Sequence, residues 1–138
     1  RCSLFTNPMN YLPVIKKFPK LRICFAHFGS EYYWERYITH PEDQENWFNI
    51  IRSLIYDYEN FYADVSFTLN NEEYFSLLKV ILSDEKIRRK VLFGSDYYMV
   101  ETKAEERRFG LDLRAFLGED YFRAIAVENV ERFLGRVK

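Results

Sequence analysis

The chain has 138 residues, of which 48% are hydrophobic and 30% charged, and its formal net charge is −1. This length suits one modest domain or part of a larger one. The near-neutral charge gives no overall positive field that would indicate nucleic acid or an anionic membrane. No apolar run approaches the roughly 20 residues that a membrane-spanning helix needs. We therefore expect neither nucleic acid nor a membrane as a partner.

Two cysteines lie in different settings, Cys2 near the terminus and Cys24 inside an apolar strand. This pattern is typical of reduced, buried thiols in a cytoplasmic protein and not of a disulfide framework. The sequence opens on Arg1 and not on methionine, and no leader is recognisable. We therefore expect that further residues precede this segment in a parent protein.

The first half of the chain predicts a strand between two helices. A helix is expected over residues 12–18, followed by an apolar strand over Leu21–Ala26. A second helix is expected over residues 42–58, with Glu42 and Asp43 in its first turn, where the helix dipole favours negative charge. Apolar residues recur at three- and four-residue steps along this helix: Trp47, Ile51, Leu54, Ile55 and Tyr58.

The second half continues the alternation. A strand over Phe61–Phe67 leads to a helix over residues 70–82, in which Asn70 and Glu73 resemble a capping box. This helix has its own apolar stripe: Tyr74, Leu77, Leu78 and Ile81. A third strand covers Val91–Gly94. Three further helical segments complete the chain: residues 101–117, 119–126 and 129–135.

Alternating strands and helices at this spacing predict an α/β fold with βαβ crossovers and a parallel sheet. The strands are short and almost wholly apolar, which is typical of strands buried on both faces. No linker rich in proline, glycine or serine divides residues 1–138, so we expect a single segment. Three strands alone would leave two unpaired sheet edges and an uncovered apolar face.

Two residues whose side chains can bind a metal or transfer a proton each follow a strand. His27 follows the first strand and Asp96 the third, and parallel α/β folds place their chemistry at the carboxyl ends of strands. Alternation predicts that His27 shares a face with Ile23 and Phe25, while Gly29 permits a positive φ. The imidazole can bind a metal or accept a proton, and the carboxylate can do the same. The alternatives are a hydrogen-bonded histidine at a strand end and an aspartate that caps the following loop or helix.

Other polar and aromatic residues are weaker candidates for a functional site. Asp64 shares a face with Tyr62 and Ser66, and a carboxylate in mid-strand must be paired, either with an arginine or with backbone amides. A structural role is favoured for Asp64, and His40 is expected in a loop near solvent. Three aromatic residues after His27 either wall a substrate pocket or simply pack: Tyr32, Tyr33 and Trp34.

Four segments, in order and over almost the whole chain, resemble the amidohydrolase-related metal-dependent hydrolases of the amidohydrolase superfamily. The segment Phe18–Ile23, leading into Ala26-His27-Phe28-Gly29, resembles the sixth strand of that family, Tyr62–Ser66 the seventh and Leu92–Tyr97 the eighth. Asn129, with Arg132-Phe133-Leu134, matches the family's closing helix.

The resemblance implies a (β/α)8 barrel with one or two divalent metals, often zinc, at the carboxyl ends of its strands. Members hydrolyse amide or ester-like bonds, including lactones, or decarboxylate aromatic acids. By resemblance, Asp96 binds metal and can relay a proton, whereas His27 binds a second metal or acts as acid and base beside a single one. The family's first-strand His-x-His pair and fifth-strand histidine have no counterparts in this sequence. A catalytic zinc generally needs three protein ligands.

We therefore expect the C-terminal portion, about three of eight strands, of a TIM-type (β/α)8 barrel that acts on a small-molecule substrate. The segment alone should bind metal weakly and catalyse little. One alternative is a truncated, non-catalytic α/β module whose open sheet pairs two copies into a homodimer, instead of pairing with the remainder of the barrel. Another is a small doubly wound binding domain, although no Gly-x-Gly-x-x-Gly or phosphate loop supports a nucleotide ligand.

Overall fold

The computed structural model describes residues 2–136, with the side chains from Leu4 to Arg136. Its strands form one parallel sheet in the order β1-β2-β3: β1 (Ile23–Phe25), β2 (Phe61–Val65) and β3 (Val91–Phe93). In the register, Cys24 lies beside Tyr62 and Asp64 lies beside Leu92. The predicted α/β class and parallel sheet are confirmed, and the arrangement is consistent with part of a (β/α)8 barrel.

Helices connect and flank the strands. The α-helical segments are α1 (Cys2–Thr6), α2 (Leu12–Lys17), α3 (Glu31–Thr39), α4 (Trp47–Asp57), α5 (Phe75–Ser83), α6 (Glu85–Arg88), α7 (Tyr97–Val100), α8 (Glu106–Leu117), α9 (Glu119–Arg123) and α10 (Asn129–Phe133). Short 3-10 turns cover Pro8–Tyr11, Ala26–Gly29, Phe67–Asn70 and Glu72–Tyr74. Two of these turns follow β1 and β2 closely, so the chain bends sharply at the carboxyl edge of the sheet.

One face of the sheet packs into the hydrophobic core. Alternation along the strands directs Phe61, Ala63, Val65 and Val91 to this face, and all four are at most 1% exposed. The helices α4 and α5 contribute residues of their predicted apolar stripes to the same core: Ile51, Leu54, Ile55, Leu78 and Ile81. The predicted periodicity of these two helices is therefore confirmed.

The start of α4 differs from the prediction. The helix begins at Trp47, because the side-chain oxygen of Asn46 accepts a hydrogen bond from the Phe48 amide at 3.0 Å and caps it. Glu42 and Asp43 are not in its first turn. Asp43 instead pairs with Arg36 at 2.6 Å, in the turn before the helix.

The start of α5 also differs. Asn70 and Glu73 do not form the predicted capping box. Asn71 caps the preceding 3-10 turn, accepting from the Glu73 amide at 3.1 Å, and α5 begins only at Phe75. The local capping chemistry is therefore present, but it is displaced by one residue.

The C-terminal part is one continuous helical run, not the two predicted pieces. A π-helical turn at Ala124–Glu128 joins α9 to α10, because no proline or glycine interrupts residues 119–133. The buried Asn129 fixes this run against the sheet. Its side-chain amide donates to the carbonyl of Arg88 at 2.6 Å and to that of Val91 at 2.7 Å.

The opposite face of the sheet carries Cys24, Tyr62, Asp64 and Leu92. Near the amino edge of the sheet, the Phe133 ring packs edge-on against Tyr62, with ring centroids 5.0 Å apart. Cys24 is a free cysteine, as predicted, whereas the side chain of Cys2 and the residue Arg1 lie outside the described part. Within residues 2–136, no helix has the length and apolar character that crossing a bilayer requires.

Candidate functional site

The site begins where β1 ends and the backbone turns through left-handed conformations. His27 has φ 57°, Phe28 has φ 50° and Gly29 has φ 105°. Such values are uncommon for residues other than glycine, so surrounding contacts must hold the turn. Two hydrogen bonds do so: the His27 amide donates to Asp64 Oδ1 at 2.9 Å, and Trp34 Nε1 donates to the His27 carbonyl at 3.1 Å.

This turn corrects the predicted face of His27. Strand alternation placed the imidazole with Ile23 and Phe25, but the strand ends at Phe25 and the left-handed turn redirects the ring. His27 Nδ1 lies 2.6 Å from Ser66 Oγ, on the side of the sheet that carries Asp64. The imidazole therefore points across the carboxyl edge of the sheet and not into the helical core.

Asp64 collects polar contacts from three elements. Its Oδ1 accepts from the His27 amide and from Ser66 Oγ, the latter at 2.7 Å. Its Oδ2 lies 3.8 Å from the Cys24 Sγ, which donates weakly. The expectation that Asp64 is paired is confirmed, and a backbone amide, not an arginine, provides the pairing. Asp64 thus links the turn after β1 to the end of β2.

The thiol of Cys24 is neutral at physiological pH. Burial and the adjacent negative charge of Asp64 raise the pKa of Cys24 from 9.0 to about 12. A protonated thiol can donate to Asp64 but is a poor nucleophile and metal ligand. We therefore assign Cys24 to the support of Asp64 and not to the chemistry of the site.

Asp96 follows β3 in a left-handed conformation, with φ 54°, at the start of α7. Its side chain makes no capping hydrogen bond, so the alternative of a helix-capping aspartate is wrong. Instead, Asp96 Oδ2 lies 3.9 Å from His27 Nε2. The two side chains are 36% and 35% exposed, and this edge of the sheet is therefore open to solvent.

The pair can exchange a proton or take part in binding a cation. An imidazole nitrogen and a carboxylate oxygen are both ordinary zinc ligands, and His27 Nε2 and Asp96 Oδ2, 3.9 Å apart, would hold such an ion after a small approach of the two side chains. Within the described residues, however, no group of three or more His, Cys, Asp or Glu side chains could hold a metal. The two side chains fit a metal as a partial ligand set that needs further donors.

The other candidates lie apart from this pair. His40 is an exposed residue after α3, and its Nδ1 lies 2.9 Å from Thr39 Oγ1, as expected for a loop histidine. The aromatic residues after His27 belong to α3, which was not predicted. Trp34 is fully buried and Tyr33 stacks on Trp47, so these two residues have a packing role and do not form the wall of a pocket.

Ser66 is the functional candidate that was missed from the sequence. Its hydroxyl bridges Asp64 and His27, whereas the sequence pattern indicated only that Ser66 shares a face with Asp64. That two-residue spacing on one strand was the available signal. Nothing in the sequence indicated that the imidazole would reach this hydroxyl.

Comparison with known protein families supports the parallel α/β architecture described above. The amidohydrolase family model matches residues 2–136. No curated protein and no solved structure gives a significant match. Because the family model covers nearly the whole chain, this chain belongs to the amidohydrolase family.

Proposed function

We propose that this chain supplies part of the active site of a metal-dependent hydrolase, with His27 and Asp96 as its reactive pair. The observation that carries the proposal is the approach of His27 Nε2 to Asp96 Oδ2, 3.9 Å apart at the carboxyl edge of a parallel sheet. Membership of the amidohydrolase family supports a hydrolase-type reaction. The proposed substrate is a small molecule with an amide, ester or lactone carbonyl, or an aromatic acid that is decarboxylated.

The proposed cofactor is a divalent metal, with zinc the first candidate, held by Asp96 and His27 together with ligands outside the described residues. Such a metal would polarise the substrate and lower the pKa of a bound water. Asp96 offers a carboxylate without a capping bond, and His27 offers Nε2, because Nδ1 is engaged by Ser66. Both atoms are therefore available to the metal or to a proton.

The residues of this chain have separate tasks in the proposed reaction. Asp96 first acts as a base that accepts a proton from the attacking water, and then, once protonated, as the acid that donates this proton to the leaving group. His27 binds metal or acts as the acid and base partner of Asp96 across the 3.9 Å separation. Asp64 and Trp34 hold the turn that presents the imidazole. A decarboxylation would use the same proton donor at the carbon that loses the carboxyl group.

Metal titration of the 138-residue chain tests the proposed ligands. Two donors predict weak binding, so calorimetry with zinc and absorption spectroscopy with cobalt should give dissociation constants above the micromolar range. His27→Ala and Asp96→Asn should each remove that binding. His40→Ala is the matched control, because it deletes an exposed histidine away from the pair and should leave binding unchanged.

Two results would contradict this proposal. One is metal binding that persists in both the His27→Ala and the Asp96→Asn chains. The other is metal binding that is lost equally in the His40→Ala chain, which would indicate nonspecific binding to histidine. Tight one-to-one zinc binding, or rapid hydrolysis of aryl esters or lactones by these 138 residues alone, would contradict the incomplete nature of the site.

A second candidate function is self-association through the open sheet. Within residues 2–136 the sheet order leaves the outer edge of β1 unpaired. Leu21, just before β1, is 45% exposed, and nearby Phe18 is 53% exposed. An unpaired edge beside exposed apolar groups can pair with a second copy or with the remainder of a barrel. Sedimentation at micromolar concentration distinguishes these, because a stable monomer would exclude the homodimer.

A further inference from the structure

Three hydrogen bonds link Asp64, Ser66 and His27 into one network. The His27 amide donates to Asp64 Oδ1 at 2.9 Å, Ser66 Oγ lies 2.7 Å from the same oxygen, and His27 Nδ1 lies 2.6 Å from Ser66 Oγ. Ser66 is 5% exposed, so water has little access to its hydroxyl. These contacts restrict which atom of each pair is the hydrogen-bond donor.

The directions of the bonds follow from counting protons. A backbone amide can only donate, so Asp64 Oδ1 is an acceptor. An ionised carboxylate carries no proton, and Ser66 must therefore donate its single hydroxyl proton to Asp64. The Ser66 oxygen then has only lone pairs to offer to His27. At 2.6 Å the imidazole must supply the proton, and Nδ1 is the donor.

We propose that Asp64 and Ser66 act as a positioning pair that holds neutral His27 as the Nδ1–H tautomer, with the Nε2 lone pair directed toward Asp96. Neither residue touches substrate in this arrangement. The pair determines which ring nitrogen faces the reactive edge, because an imidazole with a proton on Nε2 could neither bind a metal there nor accept a proton. The role of Nε2 as a metal ligand or proton acceptor rests on the proposed function, whereas the tautomer of His27 does not.

The tautomer would be the less common one. A free neutral imidazole of histidine favours the Nε2–H form, so the network must overcome that preference. The hydrogen bonds are short, and a carboxylate as the terminal acceptor strengthens the whole chain of donors. The same Asp64 oxygen fixes the backbone of His27, so the turn and the ring orientation depend on one carboxylate.

Nitrogen NMR of the full 138-residue chain, labelled with ¹⁵N-histidine, tests this inference without metal or substrate. The spectra are recorded at a pH where both imidazoles are neutral. In the wild-type chain, His27 should show a protonated Nδ1 and an unprotonated Nε2. In Ser66→Ala, the Nδ1 bond is lost and His27 should shift toward the Nε2–H form.

His40 is the internal control, because it lies in the same molecule and its Nδ1 contacts Thr39 Oγ1, outside this network. Its tautomer should be the same in the wild-type and Ser66→Ala chains, while Thr39→Ala, which removes its own partner hydroxyl, should leave His27 unchanged. Predominantly Nε2–H His27 in the wild-type chain would overturn the inference, and that measurement needs no variant to fold. An unchanged His27 tautomer in a folded Ser66→Ala chain would also overturn it.

The two proposals fail separately. If zinc does not bind while His27 is held with its proton on Nδ1, the proposed metal ligand role is wrong and the positioning pair stands. If zinc binding needs His27 but the proton is on Nε2, the positioning pair is wrong and the hydrolase proposal stands. A Ser66→Ala chain should bind zinc more weakly than the wild-type chain if both proposals are correct.

Discussion

Asp64 Oδ1 accepts the backbone amide of His27 at 2.9 Å, although the two residues are 37 positions apart in the chain. This bond joins the middle strand to the turn after the first strand, at the edge where Asp96 also lies. One carboxylate thereby fixes the backbone of the candidate histidine and, through Ser66, the orientation of its ring. The geometry of the site is determined by the side chains that support it as much as by the reactive pair.

Replacement of Asp64 should separate its acceptor role from its charge. Asp64→Ala leaves the His27 amide and the Ser66 hydroxyl without their acceptor, so we expect a loss of about 2 kcal/mol in the free energy of unfolding. Asp64→Asn keeps a carbonyl oxygen at Oδ1 and should lose less. Urea unfolding measures both variants. Equal destabilisation by alanine and asparagine would contradict the importance of the acceptor.

Gly29→Ala should destabilise the turn at the site. Gly29 has φ 105°, where a side chain is strained even though neighbouring atoms lie at ordinary contact distances. We expect the free energy of unfolding to fall by about 1–2 kcal/mol. The matched control is Gly110→Ala in α8, where the added carbon would meet no side chain and no other segment within 4 Å beyond its own chain neighbours. That change should raise stability by about 0.5–1 kcal/mol, because alanine is the better helix former.

Cys24 should alkylate slowly. Because burial and Asp64 raise its pKa to about 12, the thiolate fraction near pH 8 is roughly a thousandfold below that of an ordinary thiol of pKa 9.0. Iodoacetamide labelling in a Cys2→Ser background measures the rate. Adding Asp64→Asn removes the repelling charge and should speed labelling. A native Cys24 that reacts as fast as the unfolded chain would contradict this assignment.

The same shift predicts how stability depends on pH. The folded thiol keeps its proton at pH values where the unfolded thiol has lost it, since the folded pKa is the higher of the two. The contribution of Cys24 is therefore complete below pH 9.0 and declines as the pH rises toward 12. Urea unfolding of the wild-type and Cys24→Ala chains should show a difference that narrows over this alkaline range.

Lys90 should be required for stability and not for chemistry. Its Nζ, in a side chain that is almost fully buried, donates at 2.9 Å to the carbonyls of Ile55 and Tyr58 at the end of α4. Lys90→Met removes the donor of both hydrogen bonds, and we expect a loss of about 1–3 kcal/mol in the free energy of unfolding. Lys20→Met, on the exposed surface, should change it by less than about 0.5 kcal/mol. Equal effects at the two lysines would contradict the capping role.

The sequence predicted those parts of the fold that depend on local pattern. The apolar stripes of α4 and α5 and the three apolar strands are encoded by spacing alone. The helix α3 was missed, because three consecutive aromatic residues, Tyr32, Tyr33 and Trp34, hide its helical period. Its first turn also follows an irregular left-handed segment, of which the sequence indicated only the positive φ permitted at Gly29.

For the candidate site, the sequence predicted the pair but not its support. His27 and Asp96 were singled out because each follows a strand, and the parallel sheet brings them within 3.9 Å. The side of the sheet predicted for the His27 side chain was wrong, because alternation holds only while the strand continues. The link through Ser66 depends on a tertiary hydrogen bond between residues 39 positions apart, which periodicity does not encode.

The guanidinium of Arg22, just before β1, donates to the carbonyl of Phe133 in α10 at 2.9 Å, across 111 positions of sequence. This bond ties the first strand to the last helix. Local unfolding of α10 breaks this bond and therefore weakens the anchoring of the residues just before β1. In native-state hydrogen exchange, Arg22→Ala should raise the exchange rates of amides in both of these distant segments.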